Sequence, residues 1–311
     1  YCESCSSCGL IFFQYKMNLA YHDAKYADLY EETMYNALLG SLDSEGKNYY
    51  YTNPLTQRNE RYSWHVCPCC VGNIPRTLLM IPTWAYVTGD EGIYVNLFIG
   101  STINIENIEG TKVQMVQETD YPWDGKVSIT VNPETSKEFT VYVRVPDRHT
   151  SILYTATPSV SGINGLSLNG EKISYEIKNG YAAITRKWEK GDNIAFELPM
   201  EVQVITSDEK VAANNGLVAL RYGPLVFTIE NVDQPNIDKA IGSEPITAEW
   251  REDLLNGIIE LKGKWQDDTD LFAIPYFTRN NRELPDATKD ERAISRVWIK
   301  RRLSEPVRFP D

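Results

Sequence analysis

Beyond residue 70 this 311-residue chain has no cysteine at all. A disulfide-stapled secreted domain scatters its cysteines in pairs along its length, so the clustering favours one local site over such a framework. Histidine is scarce too, at three, and basic residues (31) are outnumbered by acidic ones (43) for a net charge of −12. A nucleic-acid partner needs a basic face, which argues against one here. No apolar run approaches the roughly 18 residues that cross a bilayer, so no membrane span is expected, and no signal-peptide pattern opens the chain. Hydrophobic residues, by contrast, make up 42%, with 19 Tyr and 7 Trp. That is enough for large cores and too much for disorder. Two or three domains are expected at this length. The chain starts Tyr1-Cys2-Glu3 without a Met, and so reads as the later part of a longer protein.

All six cysteines fall in two tight groups, Cys2, Cys5 and Cys8, then Cys67-Pro68-Cys69-Cys70. Neighbouring thiols rarely meet the geometry of a disulfide. Thiolates are soft ligands suited to zinc, and a carboxylate can complete a four-ligand shell. Glu3, Cys5, Cys67, Cys69 and Cys70 are therefore candidates for one metal, with one sulfur to spare. A spare thiolate kept deprotonated by a metal is a nucleophile. The competing reading is a closed structural zinc, which a chain of this size does not need in order to bury a core. Cys2 and Cys8 are expected as free buried thiols. His65 either touches a ligand or serves only the structure. The Asp-rich loop 266–270 lacks the spacing of an EF-hand, so no calcium is assigned to it. A thiol redox or zinc-storage role is permitted by Cys67-Pro68-Cys69-Cys70, although a long β-rich tail would serve no such role.

Residues 1–88 carry helical periodicity. A first helix is expected over 9–22, with Leu10, Phe13, Met17 and Ala20 on its buried face. A second is expected over 24–42, capped by Asp23, with Tyr26, Leu29, Tyr30, Met34 and Leu38 inward and Glu31 and Glu32 as solvated charges. A third is expected over 73–87, with Pro75 in its first turn and a break at Pro82. The aromatic run Tyr49-Tyr50-Tyr51 between them reads as extended. From Asp90 short strands take over, at 92–99, 126–131, 139–145, 181–186, 193–198, 216–222 and 296–300. Turn signals such as Asn132-Pro133, Asn169-Gly170, Asn179-Gly180 and Lys190-Gly191-Asp192 separate many of them. This pattern spells β-sandwich, with two modules at 89–200 and 201–311. No catalytic residue is expected in them; His149 is their only histidine and reads as part of a solvated loop.

The combination of these segments resembles glycoside hydrolase family 127 and its close relative family 146, the retaining β-L-arabinofuranosidases. The likeness is carried by Tyr-Cys-Glu-Ser-Cys at 1–5, Asp-Ala-Lys-Tyr-Ala-Asp at 23–28, Tyr-Asn-Ala-Leu-Leu at 35–39 and Tyr-Thr-Asn-Pro-Leu at 51–55. It continues through Cys-Pro-Cys-Cys at 67–70, Gly-Ile-Tyr-Val-Asn-Leu at 92–97 and Tyr-Pro-Trp-Asp-Gly-Lys-Val at 121–127. Leu-Val-Ala-Leu-Arg-Tyr-Gly-Pro-Leu-Val at 217–226 and Ala-Ile-Pro-Tyr-Phe at 273–277 complete it. The resemblance implies an α+β multidomain fold, the last helices of an (α/α)6 barrel (1–88) followed by antiparallel β-sandwich domains. It implies Zn2+ held by Glu3, Cys5, Cys69 and Cys70, with Cys67 outside the ligand set. It implies that Cys69 is the nucleophile on the anomeric carbon, and that Tyr51 and Glu3 face the substrate. The acid/base glutamate would lie before Tyr1. The substrate implied is a β-linked furanoside of plant cell-wall glycans. A related hydrolase of another pectic sugar, such as aceric acid, and a non-catalytic, zinc-stapled carbohydrate-binding paralogue are the alternatives. Val71-Gly72 stand where the family often has two prolines, while Asn73 is kept. The compartment, periplasm or cytoplasm of a bacterium, and the oligomeric state are left open.

Overall fold

The computed structural model describes residues 2–57, 61–90, 92–149, 151–282 and 294–302. Tyr1 of the first motif and the last nine residues of the second expected sandwich lie outside them. Among the described residues there are three α-helices, all within the first 80 residues, and twenty-one strands, nearly all after them. Helix α1 (Ser4–Tyr21) begins five residues earlier than expected, so Cys5 stands in its first turn. Its inner face is also not the predicted one. Ser4, Cys8, Ile11, Gln14 and Asn18 are buried, while Leu10 and Phe13 are 43% and 58% exposed. The reason is polar pairing at long range. Asn18 donates to the Tyr181 hydroxyl at 2.8 Å and accepts from Asn96 at 2.9 Å, and Tyr181 closes the triangle on Asn96 at 2.6 Å. A buried amide satisfied in this way outranks an apolar stripe that nothing in the described chain covers.

Helix α2 (Ala24–Thr33) is capped as expected, the Asp23 side chain accepting from the Lys25 N–H. From Met34 the rod changes winding, first to a π turn (Met34–Leu38), then to a 3₁₀ turn (Leu39–Ser41). Asn36 sits in that altered stretch and reaches the C-terminal sheet, donating to the Pro224 carbonyl and accepting from the Val226 N–H, both at 2.8 Å. Glu31 corrects the sequence reading: it is 3% exposed, not solvated. It and Asp28 grip the fully buried Arg144, whose Nη1 lies 2.5 Å from Asp28 and whose Nε donates to the Asn96 carbonyl at 2.6 Å. Glu32 beside them is partly exposed, 3.8 Å from Arg221. Helix α3 (Cys69–Met80) starts four residues before its expected position, which places Pro75 in its interior. A proline there cannot donate to the Val71 carbonyl. Pro82 ends the regular helix in a 3₁₀ turn (Ile81–Trp84), and the chain enters its first long sheet at Tyr86–Gly89.

A five-stranded sheet runs in the order Glu176–Lys178, Tyr181–Trp188, Lys137–Arg144, Gly92–Val95, Tyr86–Gly89. Its pairings are antiparallel except Gly92–Val95 beside Lys137–Arg144, which run parallel. Alternation along its strands separates two faces. Ile93, Val95, Val141, Val143 and Ile184 join the main core with Ile129, Val131 and Ile194 of a six-stranded antiparallel sheet. Tyr94, Tyr142 and Tyr181 turn the other way, onto Ala24, Tyr15 and Leu19 of the helices. The five-stranded sheet is thus the middle layer between helices and outer sheet. Asn169-Gly170 and Asn179-Gly180 make tight turns with positive φ at both positions, as their sequence dictates. The second of these tips docks on α2, where the Ala24 N–H donates to the Asn179 carbonyl at 2.8 Å. Asn132-Pro133, by contrast, is no turn; it ends the strand Lys126–Pro133.

The C-terminal strands join into one branched ten-stranded sheet rather than two separate ones. It recruits Tyr154–Thr157 from the middle of the chain and Thr56–Gln57 from the helical segment. No described helix is long and apolar enough to cross a membrane.

Candidate metal and thiol centre

Two helix starts meet at the cysteine groups. Glu3 is the N-cap residue of α1, its backbone extended and bridged to Thr52, and its side chain makes no capping bond. Its carboxylate is therefore available to face outward from the helix end. Cys5 follows in the first turn of α1, and Cys69 and Cys70 open α3 after Pro68. The unpaired N–H groups and positive dipole of both ends favour anionic ligands there. The extended run 49–53 locks α1 in place: the Ser4 N–H donates to the Tyr51 carbonyl at 3.0 Å, and its hydroxyl donates to the Tyr50 carbonyl at 2.6 Å.

Ligand atoms of Glu3, Cys5, Cys69 and Cys70 all lie within 4.8 Å of one another. Cys69 Sγ is 3.9 Å from Cys70 Sγ and donates to Glu3 Oε1 at 3.4 Å, while Cys5 and Cys70 sulfurs are 3.1 Å apart. A tetrahedron with metal–sulfur arms of about 2.3 Å has edges of about 3.8 Å, so the first two separations suit zinc as they stand. The third is too long for a disulfide, which holds sulfurs about 2.05 Å apart. All six cysteines are free. The donor set, three soft sulfurs and one carboxylate, fits a closed-shell tetrahedral cation.

Crowding and burial together oppose the anionic form of two of these thiols. Its hydrogen bond with Cys5, then burial, pushes the Cys69 thiol up to about 11. Burial, then the contact with Cys5, drives Cys70 up further. Cys67 moves the other way, lowered first by a hydrogen bond from Tyr51. Cys67 is exposed and lies beside the quartet rather than in it, its Sγ 3.7 Å from Cys69 Sγ. Cys8 is buried as expected, but Cys2 is exposed, because the chain there runs along the surface with its carbonyl bonded to the Asn53 N–H.

Two residues acquire roles that the sequence reading did not give them. Asn73 Nδ2 donates to Cys5 Sγ at 3.0 Å, and Arg76 donates to Asn73 Oδ1 at 2.8 Å, which fixes the amide orientation. The signal was present: Asn73 stands three and four residues after Cys70 and Cys69, one helical turn on along the same face. His65 stacks on Tyr51 with ring centroids 4.3 Å apart and an interplanar angle of 22°. His149 is on the surface as expected, bonded to Asp147, Ser159 and Ser161.

Three family models cover the chain in succession. "Beta-L-arabinofuranosidase, GH127 catalytic domain" matches residues 1–83, "Beta-L-arabinofuranosidase, GH127 middle domain" 92–200, and "Glycoside hydrolase family 127 C-terminal domain" 202–299. The chain belongs to glycoside hydrolase family 127. Among family relatives, the non-reducing end β-L-arabinofuranosidase of Bifidobacterium longum is 26% identical over 91% of this chain and 48% of its own length. A solved GH127 β-arabinofuranosidase superposes with a TM-score of 0.87 at 26% identity, covering 97% of this chain and 50% of that one. A GH127 β-L-arabinofuranosidase from Geobacillus stearothermophilus T6 gives 0.84 at 32% identity, with the same coverage. This family 127 chain thus spans about half the length of the relatives it matches.

Proposed function

We propose that this chain carries the metal–thiolate side of the active site of a retaining β-L-arabinofuranosidase, with Cys69 as the nucleophile. One observation carries the assignment. Of the three quartet thiols, Cys70 is fully buried and Cys5 is tied to the Asn73 amide, whereas Cys69 is partly exposed and opens toward Cys67. Tyr51, hydrogen-bonded to Cys67, lines that same side. The β-L-arabinofuranosidase name borne by the relatives supports the substrate class.

Glu3, Cys5, Cys69 and Cys70 would hold the metal. Bound there, zinc would keep its thiol ligands deprotonated near neutral pH, as the raised Cys69 and Cys70 otherwise resist. The Cys69 sulfur would then attack the anomeric carbon as the glycosidic C–O bond breaks, and the departing oxygen would take a proton from a general acid. Water, giving a proton back to that same group, would displace the sulfur from the same carbon as a thiolate in a second inversion. Two inversions retain configuration. In this reading α1, α2 and α3 are the last helices of an (α/α)6 barrel, and the sheets buttress them. Leu10 and Phe13 of α1 and Leu79 of α3, 43%, 58% and 80% exposed, support further helices packed against that side.

The test is trapping with a cysteine-reactive furanose analogue on the full-length, zinc-loaded enzyme, followed by mass mapping. Label is expected on Cys69. Label on Cys67 or Cys70 would overturn the assignment, and no label on a sugar-binding, zinc-replete protein would make the centre a structural one.

A further inference from the structure

We infer that His65 is a sugar-binding residue, its Nε2–H donating a hydrogen bond to a hydroxyl of the furanoside that Cys69 attacks; this rests on the proposed function above. The ring is held on several sides. One face stacks on Tyr51, and Tyr62 meets it edge-on at 5.1 Å. The His65 N–H is anchored to the Tyr49 hydroxyl at 3.1 Å. The Cys67 N–H then points at His65 Nδ1 from 3.1 Å. Of the two contacts at this nitrogen, the one from the Cys67 N–H is shorter than that to the Cys67 carbonyl at 3.3 Å, and we take Nδ1 as the acceptor. In the neutral imidazole the proton therefore sits on Nε2.

Among the described residues Nε2 has no hydrogen-bond partner, and the ring is half-buried, so its N–H is presented rather than consumed. Its neighbours place it. Tyr51, which supplies the stacking face, also bonds Cys67, and Cys67 Sγ lies 3.7 Å from Cys69 Sγ. His65, Tyr51, Cys67 and Cys69 are thus linked contact by contact, with the proposed nucleophile at one end and the histidine at the other. A furanose presents hydroxyl lone pairs, and a rigid donor of fixed tautomer reads them at little entropic cost.

Three substitutions in the full-length enzyme separate binding from positioning. His65→Asn keeps an acceptor near the Nδ1 position and loses the Nε2 donor. His65→Gln keeps a donor near Nε2 and loses the acceptor, and His65→Phe keeps only the stacking ring. Loss of one such bond lowers kcat/KM by about tenfold. That loss is expected in the Asn and Phe variants, with the Gln variant within about threefold of the parent. One monodeoxy arabinofuranoside should cost the parent the same factor and cost His65→Asn nothing further. Zinc content and Cys69 labelling are measured on every protein. If Cys69 labels normally but His65→Asn matches the parent while His65→Gln fails, His65 merely holds the Cys67 backbone and the inference is overturned. The absence of any deoxy sugar coupled to position 65 overturns it equally. Failure of the parent to label at Cys69 sinks the proposed function instead, so the two failures are told apart.

Discussion

Replacing Arg144 by Met tests whether the clamp between α2 and the five-stranded sheet is electrostatic, because the two possible outcomes differ in their pH dependence. Desolvation raises the Asp28 carboxyl from 3.8 to about 6 despite the opposing pull of Arg144. The unfolded chain therefore releases this proton first, the folded state binds more protons between those values, and stability falls as pH rises through that window. At about 1.4 kcal/mol per pH unit, the parent's Asp28 penalty levels off near 3 kcal/mol above pH 6. In the variant the guanidinium no longer favours the carboxylate, so the folded carboxyl stays protonated to higher pH and the penalty keeps growing. At about pH 5 Asp28 is protonated in both folded proteins, so the penalties cancel; by about pH 8 they differ by 2–3 kcal/mol. What remains at the lower pH is the lost ion pair with Glu31, the lost bond to the Asn96 carbonyl and the contact with Phe98, 4.8 Å from the guanidinium carbon, together about 3–5 kcal/mol. The assay is chemical denaturation of full-length parent and variant side by side at both pH values. A destabilisation of equal size at both would refute the reasoning, since packing loss alone does not titrate.

Three further outcomes follow from the geometry. Asn73→Ala removes the donor on Cys5 Sγ and should weaken zinc binding by about 10–100-fold in chelator competition, while Arg76→Ala, which only orients that amide, should weaken it less. Cys5→Ser should abolish stoichiometric zinc by elemental analysis, whereas Cys8→Ser, at a buried thiol outside the quartet, should retain it. Gly92→Ala places a methyl group 2.0 Å from the Thr140 carbonyl oxygen at φ +144, so the parallel strand pair must part. A loss above about 3 kcal/mol is expected in denaturation, and an unchanged stability would show that the pair tolerates the shift.

The sequence by itself determined what depends on neighbours in the chain. Asn169-Gly170 and Asn179-Gly180 turn because those residues tolerate positive φ, and they do so in the fold. Asp23 caps its helix, Pro82 breaks one, and the change from helical to strand periodicity is legible in side-chain spacing, although the spacing predicts it at residue 90 and the fold starts its strand at Tyr86. The cysteine groups were legible for the same reason, as residue types whose chemistry narrows the options wherever they stand. Tertiary structure decided which helix faces are inside. Glu31 is buried because Arg144 lies 113 residues away to neutralise it, and α1 turns Asn18 rather than Phe13 inward because Asn96 and Tyr181 wait for that amide. It decided likewise that Cys67 stands beside the quartet and that Cys2 is exposed, and it gave His65 a stacking partner in Tyr51. A hydrophobic period records how apolar each face is, but the free energy of burying a polar group depends on whether a partner meets it, and such partners come from distant parts of the chain.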